Sequence, residues 1–312
     1  MNETTAPRSI EQYLAALRAA LSGEDPALVQ DALYDAEEYL RAEVSANPGR
    51  SESDTLELIS STYGAPEEVA EAYRTTEKQV RTALAPPPRK APRTAFGRFF
   101  AVYGDSRTWT ALFYMLLALV TGVFYFTTVV AGLSTSAGLI VLIVGIPFFL
   151  LFVGFTRVLA LAEGRLVEGL LGQRMPRRPL YPAKGLPIFE RIKQMLVDRR
   201  TWTTMFYFLL MLPLGILYFV IATVGICVSV GLVGGSLAAV LMAFGVGGGS
   251  ISLHDHAVYY GPSPLAAPFL FIGGVLLLTA VLHLIRAIGR GHGTLAKNFL
   301  VARSDASEAA GA

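Results

Sequence analysis

The chain has 312 residues, of which 53% are apolar and 16% charged, with a mean hydropathy of +0.49. A water-soluble protein carries roughly a quarter charged residues, so an ordinary soluble enzyme is excluded and a membrane protein is implied. The net charge of +2 conceals a polarised chain: residues 1–80 hold 6 Lys/Arg against 16 Asp/Glu, or −10, while the other 232 hold 20 against 8, or +12.

The single cysteine, Cys227, excludes an internal disulfide, and no Cys/His cluster has zinc-site spacing. The start, MNETTAPRSIEQ, lacks an apolar core behind a basic patch. No cleavable signal peptide is therefore expected, and the first apolar span serves as the membrane signal.

Four helices are predicted in the acidic head. Ser9 and Gln12 form a capping box before a stripe of Ile10, Tyr13, Leu14, Leu17 and Leu21. Asp25-Pro26 opens a longer helix ending at Asn47-Pro48-Gly49. Ser51 or Ser53 starts a third that stops near Tyr63-Gly64, and Pro66 opens a fourth with Val69, Ala70 and Tyr73 inward. Asp31, Asp35, Glu37, Glu38 and Glu43 give the second helix an acidic face, which is either solvated surface or a docking surface.

The segments Ser9–Arg18, Tyr34–Leu40 and Tyr63–Ala70 resemble the HAAS signalling domain, also called DUF1700, over residues 8–80. That resemblance implies a cytoplasmic helical domain in a bacterial membrane protein, near PadR-type transcription regulators. Residues 1–85 are accordingly expected to form one domain.

Pro86, Pro87, Pro88 and Pro92, interleaved with Arg89, Lys90 and Arg93, predict an extended linker over 86–99. Its positive charge marks the cytoplasmic side. Spans are expected at 110–132, 138–159, from 203 onward, and 266–286, each near the 20 or so residues a bilayer requires. The segment 162–202 carries 9 Lys/Arg and 4 Asp/Glu. Its basic balance, with the basic tail, predicts four spans and cytoplasmic N- and C-termini. Residues 228–264 lack Lys and Arg and are expected outside, half-embedded or re-entrant because of their glycines. Residues 301–312 read as a disordered tail.

An internal repeat organises this body. Residues 105–126 match 198–219 at 13 of 22 positions, at an offset of 93, and pair Trp109 with Trp202. The ends match more weakly at an offset of 129: Arg157 with Arg286, and Gly164–Leu171 with Gly293–Leu300. Each half is thus a membrane hairpin with both ends cytoplasmic, the first turning at Leu133–Ala137, and the difference of 36 is an insertion in the second. The expected fold class is all-α: a small cytoplasmic bundle plus a polytopic membrane domain of two repeated hairpins.

Asp105 and Asp198 can cap span N-termini, Arg107 and Arg200 can snorkel to lipid phosphates, and Trp109 and Trp202 suit an interface. These six residues are read as membrane anchors, or as couplers to the cytoplasmic parts. Arg107–Tyr114, Gly138–Pro147, Glu163–Leu166 before Leu171-Gly172, and the second Arg200-Thr201-Trp202 make residues 100–300 resemble the bacterial “Putative sensor” family. That family implies sensing; kinase activity is not implied, because no ATP-binding or phosphoacceptor region follows.

In the expected outer segment, His254 and His256 flank Asp255, with Tyr259 and Tyr260 nearby. Two imidazoles on one strand face could bind a metal or titrate near neutral pH, although a plain polar loop explains them as well. No cofactor, catalytic set or direct nucleic-acid binding is expected. The expected partners are the lipid bilayer and a cytoplasmic protein, such as a PadR-like regulator or another signalling protein, and homo-oligomers are admitted. The sequence therefore predicts a non-enzymatic bacterial inner-membrane sensor, with a transporter or channel subunit as the alternative. Weighing against that alternative, the expected spans have no charged residue in their central parts.

Overall fold

A computed structural model of the chain describes residues 7–83, 94–139, 144–178, 193, 197–244, 251–253, 256–258 and 265–301. Helix α1 (Ile10–Ala20) begins where the Ser9 hydroxyl accepts from Gln12 N, at 3.2 Å. The Asp25 carboxylate caps α2 (Pro26–Ala46) through Ala27 N, at 3.0 Å, and Ser51 caps α3 (Glu52–Thr62) through Asp54 N. Gly64, with a left-handed φ of +109°, makes the corner before α4 (Pro66–Ala83).

Tyr13, Leu17, Leu21, Leu40 and Leu56 are fully buried among these four helices. Each such side chain contributes about 1.5–3 kcal/mol on burial. Tyr13 also donates its hydroxyl to the Gly64 carbonyl at 2.8 Å, tying the first helix to the last corner.

The body begins with a short α5 (Ala95–Phe100) and a 3-10 turn (Ala101–Gly104). Four long helices follow: α6 (Ser106–Leu139), α7 (Gly145–Leu171), α8 (Arg199–Ala243) and α9 (Ala267–Leu300). All four are long and apolar enough to cross a membrane. Outward side chains such as Phe113, Phe124, Leu151, Phe206, Leu217 and Phe269 are exposed, which suits a lipid solvent. The chain is an all-α multi-pass membrane protein.

The third helix overturns an expectation. Residues 228–243, where the glycines predicted a break, continue α8 to 45 residues, about 68 Å of helix. Gly231, Gly234 and Gly235 face open space. The propensity cost of three glycines is spread along an apolar helix whose backbone must stay bonded in lipid. Likewise α6 runs straight through Ser134 and Ser136 to Leu139, where a turn was expected. The Ser136 hydroxyl donates back to Gly132 O at 2.6 Å and needs no water. Beyond α8, strands β1 (Ile251–Leu253) and β2 (His256–Val258) form a short antiparallel ladder with Leu253 opposite His256.

The relative direction of the hairpins also differs from expectation. Gly122 packs against Met211, Gly215 against Ala118, and Tyr125 stacks on Phe208 with ring centroids 4.5 Å apart. As the α6 number falls, the α8 number rises, so these two helices run antiparallel. Meanwhile α9 runs with α6, pairing Thr279 with Tyr103, Arg286 with Asp105 and His292 with Tyr114. The second hairpin is therefore inverted on the first, about a pseudo-twofold axis beside Gly122 and Gly215. Side-by-side hairpins with all four ends on one face are not formed. The absence of side chains at these two glycines lets the α6 and α8 backbones touch in this register.

Candidate functional site

Six polar side chains meet at the pseudo-twofold axis, and the repeat relates all of them. The offset of 93 equates Tyr114 with Tyr207 and Tyr125 with Tyr218; the offset of 129 equates Glu163 with His292. Tyr114 and Tyr125 are 11 residues apart, about three helical turns, and so share one face of α6; Tyr207 and Tyr218 do the same on α8.

The Tyr114 hydroxyl lies 2.6 Å from both Glu163 Oε1 and His292 Nε2. Tyr207 makes the same two contacts at 3.0 Å each. Tyr125 reaches Glu163 Oε2 at 3.0 Å, and Tyr218 reaches His292 Nδ1 at 3.1 Å. Exchanging the two halves maps this set of contacts onto itself.

Glu163 is fully buried and His292 is 2% exposed, so each polar atom must find its partner inside. One proton arrangement satisfies them all. Tyr114, Tyr125 and Tyr207 donate to the carboxylate, Tyr218 donates to Nδ1, and Nε2–H donates to the Tyr114 and Tyr207 oxygens. A proton added to the imidazole or the carboxylate forces hydroxyls to turn. The site can therefore register a proton or a displaced helix, since each of α6, α7, α8 and α9 supplies at least one member. Among the described residues, no group of three or more His, Cys, Asp or Glu side chains could hold a metal ion.

A matching pair of ion bridges flanks the network. Asp105 meets Arg286 at 3.0 Å, and its equivalent Asp198 meets Arg157 at 3.2 Å, each joining one hairpin to the other.

The head is seated on this body through the acidic face of α2. Asp31, 6% exposed, accepts from Arg177 N at 2.7 Å and Arg178 N at 2.9 Å, and pairs with the Arg174 guanidinium at 3.0 Å. Asp35 pairs with Arg178 at 2.9 Å. Gln30 donates to Arg178 O at 2.7 Å and accepts from Arg200 at 3.1 Å. Lys297, near the end of α9, reaches Asp25 at 2.6 Å. Of the two readings of the acidic face, docking describes Asp31 and Asp35, whereas Glu38 remains exposed to solvent.

The six expected anchors occupy two equivalent corners. The carboxylates of Asp105 and Asp198 accept from Arg107 N and Arg200 N, at 3.1 and 3.0 Å. Trp109 and Trp202 are about half exposed. Arg107 is exposed, but Arg200 turns inward to Gln30 of the head. His254, Asp255, Tyr259 and Tyr260 lie outside the described residues. His256 begins β2, with Leu253 as its partner across the ladder. His283 stacks on Phe99 and bonds its carbonyl at 2.9 Å, fixing α5 against α9.

Sequence reasoning missed the network itself. The apolar runs suggested spans ending at 159 and 286, but α7 and α9 continue to Leu171 and Leu300 and carry Glu163 and His292 inside. The repeat contained the signal: both tyrosine pairs are identities in it. Glu163 and His292 escaped because they are equivalent without being identical.

No curated protein and no solved structure matches the chain. A family model described as “Putative sensor” matches residues 114–300, from the first tyrosine of the network to the last residue of α9. That stretch is more than half of the chain and holds the entire Tyr–Glu–His network, and the chain belongs to the “Putative sensor” family.

Proposed function

We propose that the protein is a non-enzymatic bacterial inner-membrane sensor that relays the state of its four-helix body to a cytoplasmic protein through the helical head. The observation that carries this reading is the seat of Asp31, Asp35 and Gln30 on Arg174, Arg177, Arg178 and Arg200. A head held by a few ion pairs can be released when the body moves, and release uncovers its acidic face. The HAAS-like head and the basic linker support a cytoplasmic location. The Lys297–Asp25 bridge adds a contact between the head and the end of α9.

The test compares the full chain with an Asp31→Ala variant in nanodiscs. Hydrogen exchange over α2 and capture of a defined cytoplasmic PadR-like regulator are read together. The variant should lose protection over α2 and gain capture. Unchanged protection with unchanged capture refutes the relay.

A second reading, a transporter or channel-type subunit, is favoured by one observation. Two inverted hairpins place a buried glutamate and histidine at their interface, where inverted-repeat transporters keep substrate and ion sites. Proton flux into liposomes that Glu163→Gln abolishes would establish that reading instead.

A further inference from the structure

The two equivalent corners of the body are not alike. At one, α9 closes on α6: a methyl at Gly289 would meet Ala111 Cβ at 2.8 Å and Leu171 at 3.3 Å. At the other, α7, the chain returning from it and the start of α8 border a cleft. It is lined by Arg157 and Ala160 of α7, Met175 of the returning chain, and Arg200, Thr201 and Thr204 of α8.

The lining indicates what the cleft would take. Arg157 and Arg200 bring two guanidinium groups to one opening, and the neighbouring Asp198 carboxylate, bonded to Arg157 at 3.2 Å, leaves a balance of +1. Thr201 is 4% exposed, and its hydroxyl has no hydrogen-bond partner. The equivalent Thr108 hydroxyl is likewise unpartnered, and Thr201 is the one that borders this cleft. The positive end of the 45-residue α8 lies at the same corner, its Arg200 amide capped by the Asp198 carboxylate. Guanidinium pairs, a hydroxyl donor and a helix start are the elements that hold a phosphate oxyanion.

We propose that this cleft binds a phosphate monoanion, the charge matched to its balance of +1, carried by an anionic lipid headgroup or by a soluble phosphate. Arg200 also donates to Gln30 of the head, so an occupant that draws its guanidinium inward loosens the seat of α2. That coupling rests on the sensor reading; the binding site does not.

The experiment uses the full chain with Trp109→Phe, leaving Trp202, two residues from Arg200, as the emission reporter. The protein is placed in phosphatidylcholine nanodiscs and titrated separately with phosphatidylglycerol in the disc and with inorganic phosphate in solution. A saturable change is expected with at least one of them. Saturation by the lipid alone identifies a headgroup, and saturation by inorganic phosphate identifies a soluble anion. Arg157→Gln and Arg200→Gln should each raise the half-saturation point tenfold or more, Thr201→Val by about fivefold, and the exposed Arg290→Gln not at all. Thr201→Val keeps side-chain shape and guards against loss of fold. Absence of saturation by both ligands overturns the proposal, as does saturation indifferent to both arginine variants. Hydrogen exchange over α2 is read in the same samples: binding without loosened exchange keeps the site and overturns the coupling.

Discussion

Replacing Glu163 is the sharpest test of the buried network. In Glu163→Ala, Tyr114 and Tyr207 keep His292 Nε2 as a partner, but the Tyr125 hydroxyl is left with none. An orphaned buried hydroxyl costs about 1–3 kcal/mol, and each lost bond to a charged group about 1.5–3 kcal/mol. Three such bonds end on this carboxylate, and their losses are not additive, so we expect destabilisation of about 3–5 kcal/mol. Glu163→Gln keeps an acceptor for Tyr114 and Tyr207 and turns the Tyr125 contact round, which reduces the loss to about 1–3 kcal/mol. The assay is unfolding in mixed micelles with a double-mutant cycle. Tyr125→Phe should couple to Glu163→Ala by about 0.5–3 kcal/mol, as contacting residues do. Tyr218→Phe, whose hydroxyl bonds His292 instead, should couple more weakly to the same substitution. A Glu163→Ala loss below about 0.5 kcal/mol, the size of a surface change, would refute the reasoning. Equal coupling from Tyr125 and Tyr218 would refute it too.

Further outcomes follow from other contacts. A methyl at Gly122 would lie 2.5 Å from the Met211 carbonyl oxygen and one at Gly215 would crowd Ala118, so each Gly→Ala change should cost about 1–3 kcal/mol in the same unfolding assay. Gly231→Ala, in open space, should be neutral or stabilising by up to about 1 kcal/mol. Asp31→Ala breaks a buried ion pair and two amide bonds. A loss of about 3 kcal/mol, at the low end for such pairs, shifts head docking by roughly a hundredfold, measurable by a spin-label distance between head and body. Glu38→Gln, on the exposed side of α2, should leave that distance unchanged.

The head should also be alkali-sensitive. Burial pushes the hydroxyls of Tyr13, Tyr63 and Tyr73 above their ordinary value of 10. Above that value the unfolded chain releases protons that the folded head keeps. The contribution is therefore complete below pH 10 and falls by up to about 1.4 kcal/mol per pH unit for each tyrosine above it. Tyr13→Phe with Tyr73→Phe should flatten the alkaline limb of the head's unfolding; an unaltered slope would contradict the assignment.

Local signals along the chain determined most of the elements. Ser9, Asp25-Pro26 and Ser51 start the head helices where capping chemistry requires it, because a cap acts within three residues. Apolar runs gave the four long helices, because lipid demands continuous internal hydrogen bonding. Their ends were not legible in the same way: Glu163 and His292 sit inside helices whose hydropathy has already fallen. Nor could residues 228–243 be read as helix, since glycine propensity is weaker than the need to bond every amide.

The split of +2 into −10 and +12 by itself determined that an acidic head and a basic body would coexist. Only tertiary structure decided that Asp31 and Asp35 are seated on the arginines of that body while Glu38 is not, because docking depends on which face of α2 is presented. The repeat determined that residues 93 and 129 positions apart would be equivalent, yet it was silent on how the two halves meet. Direction is set by backbone contact at Gly122 and Gly215 and by the partners of six buried polar groups. Those interactions link residues up to 178 positions apart, and nothing local in the chain encodes them.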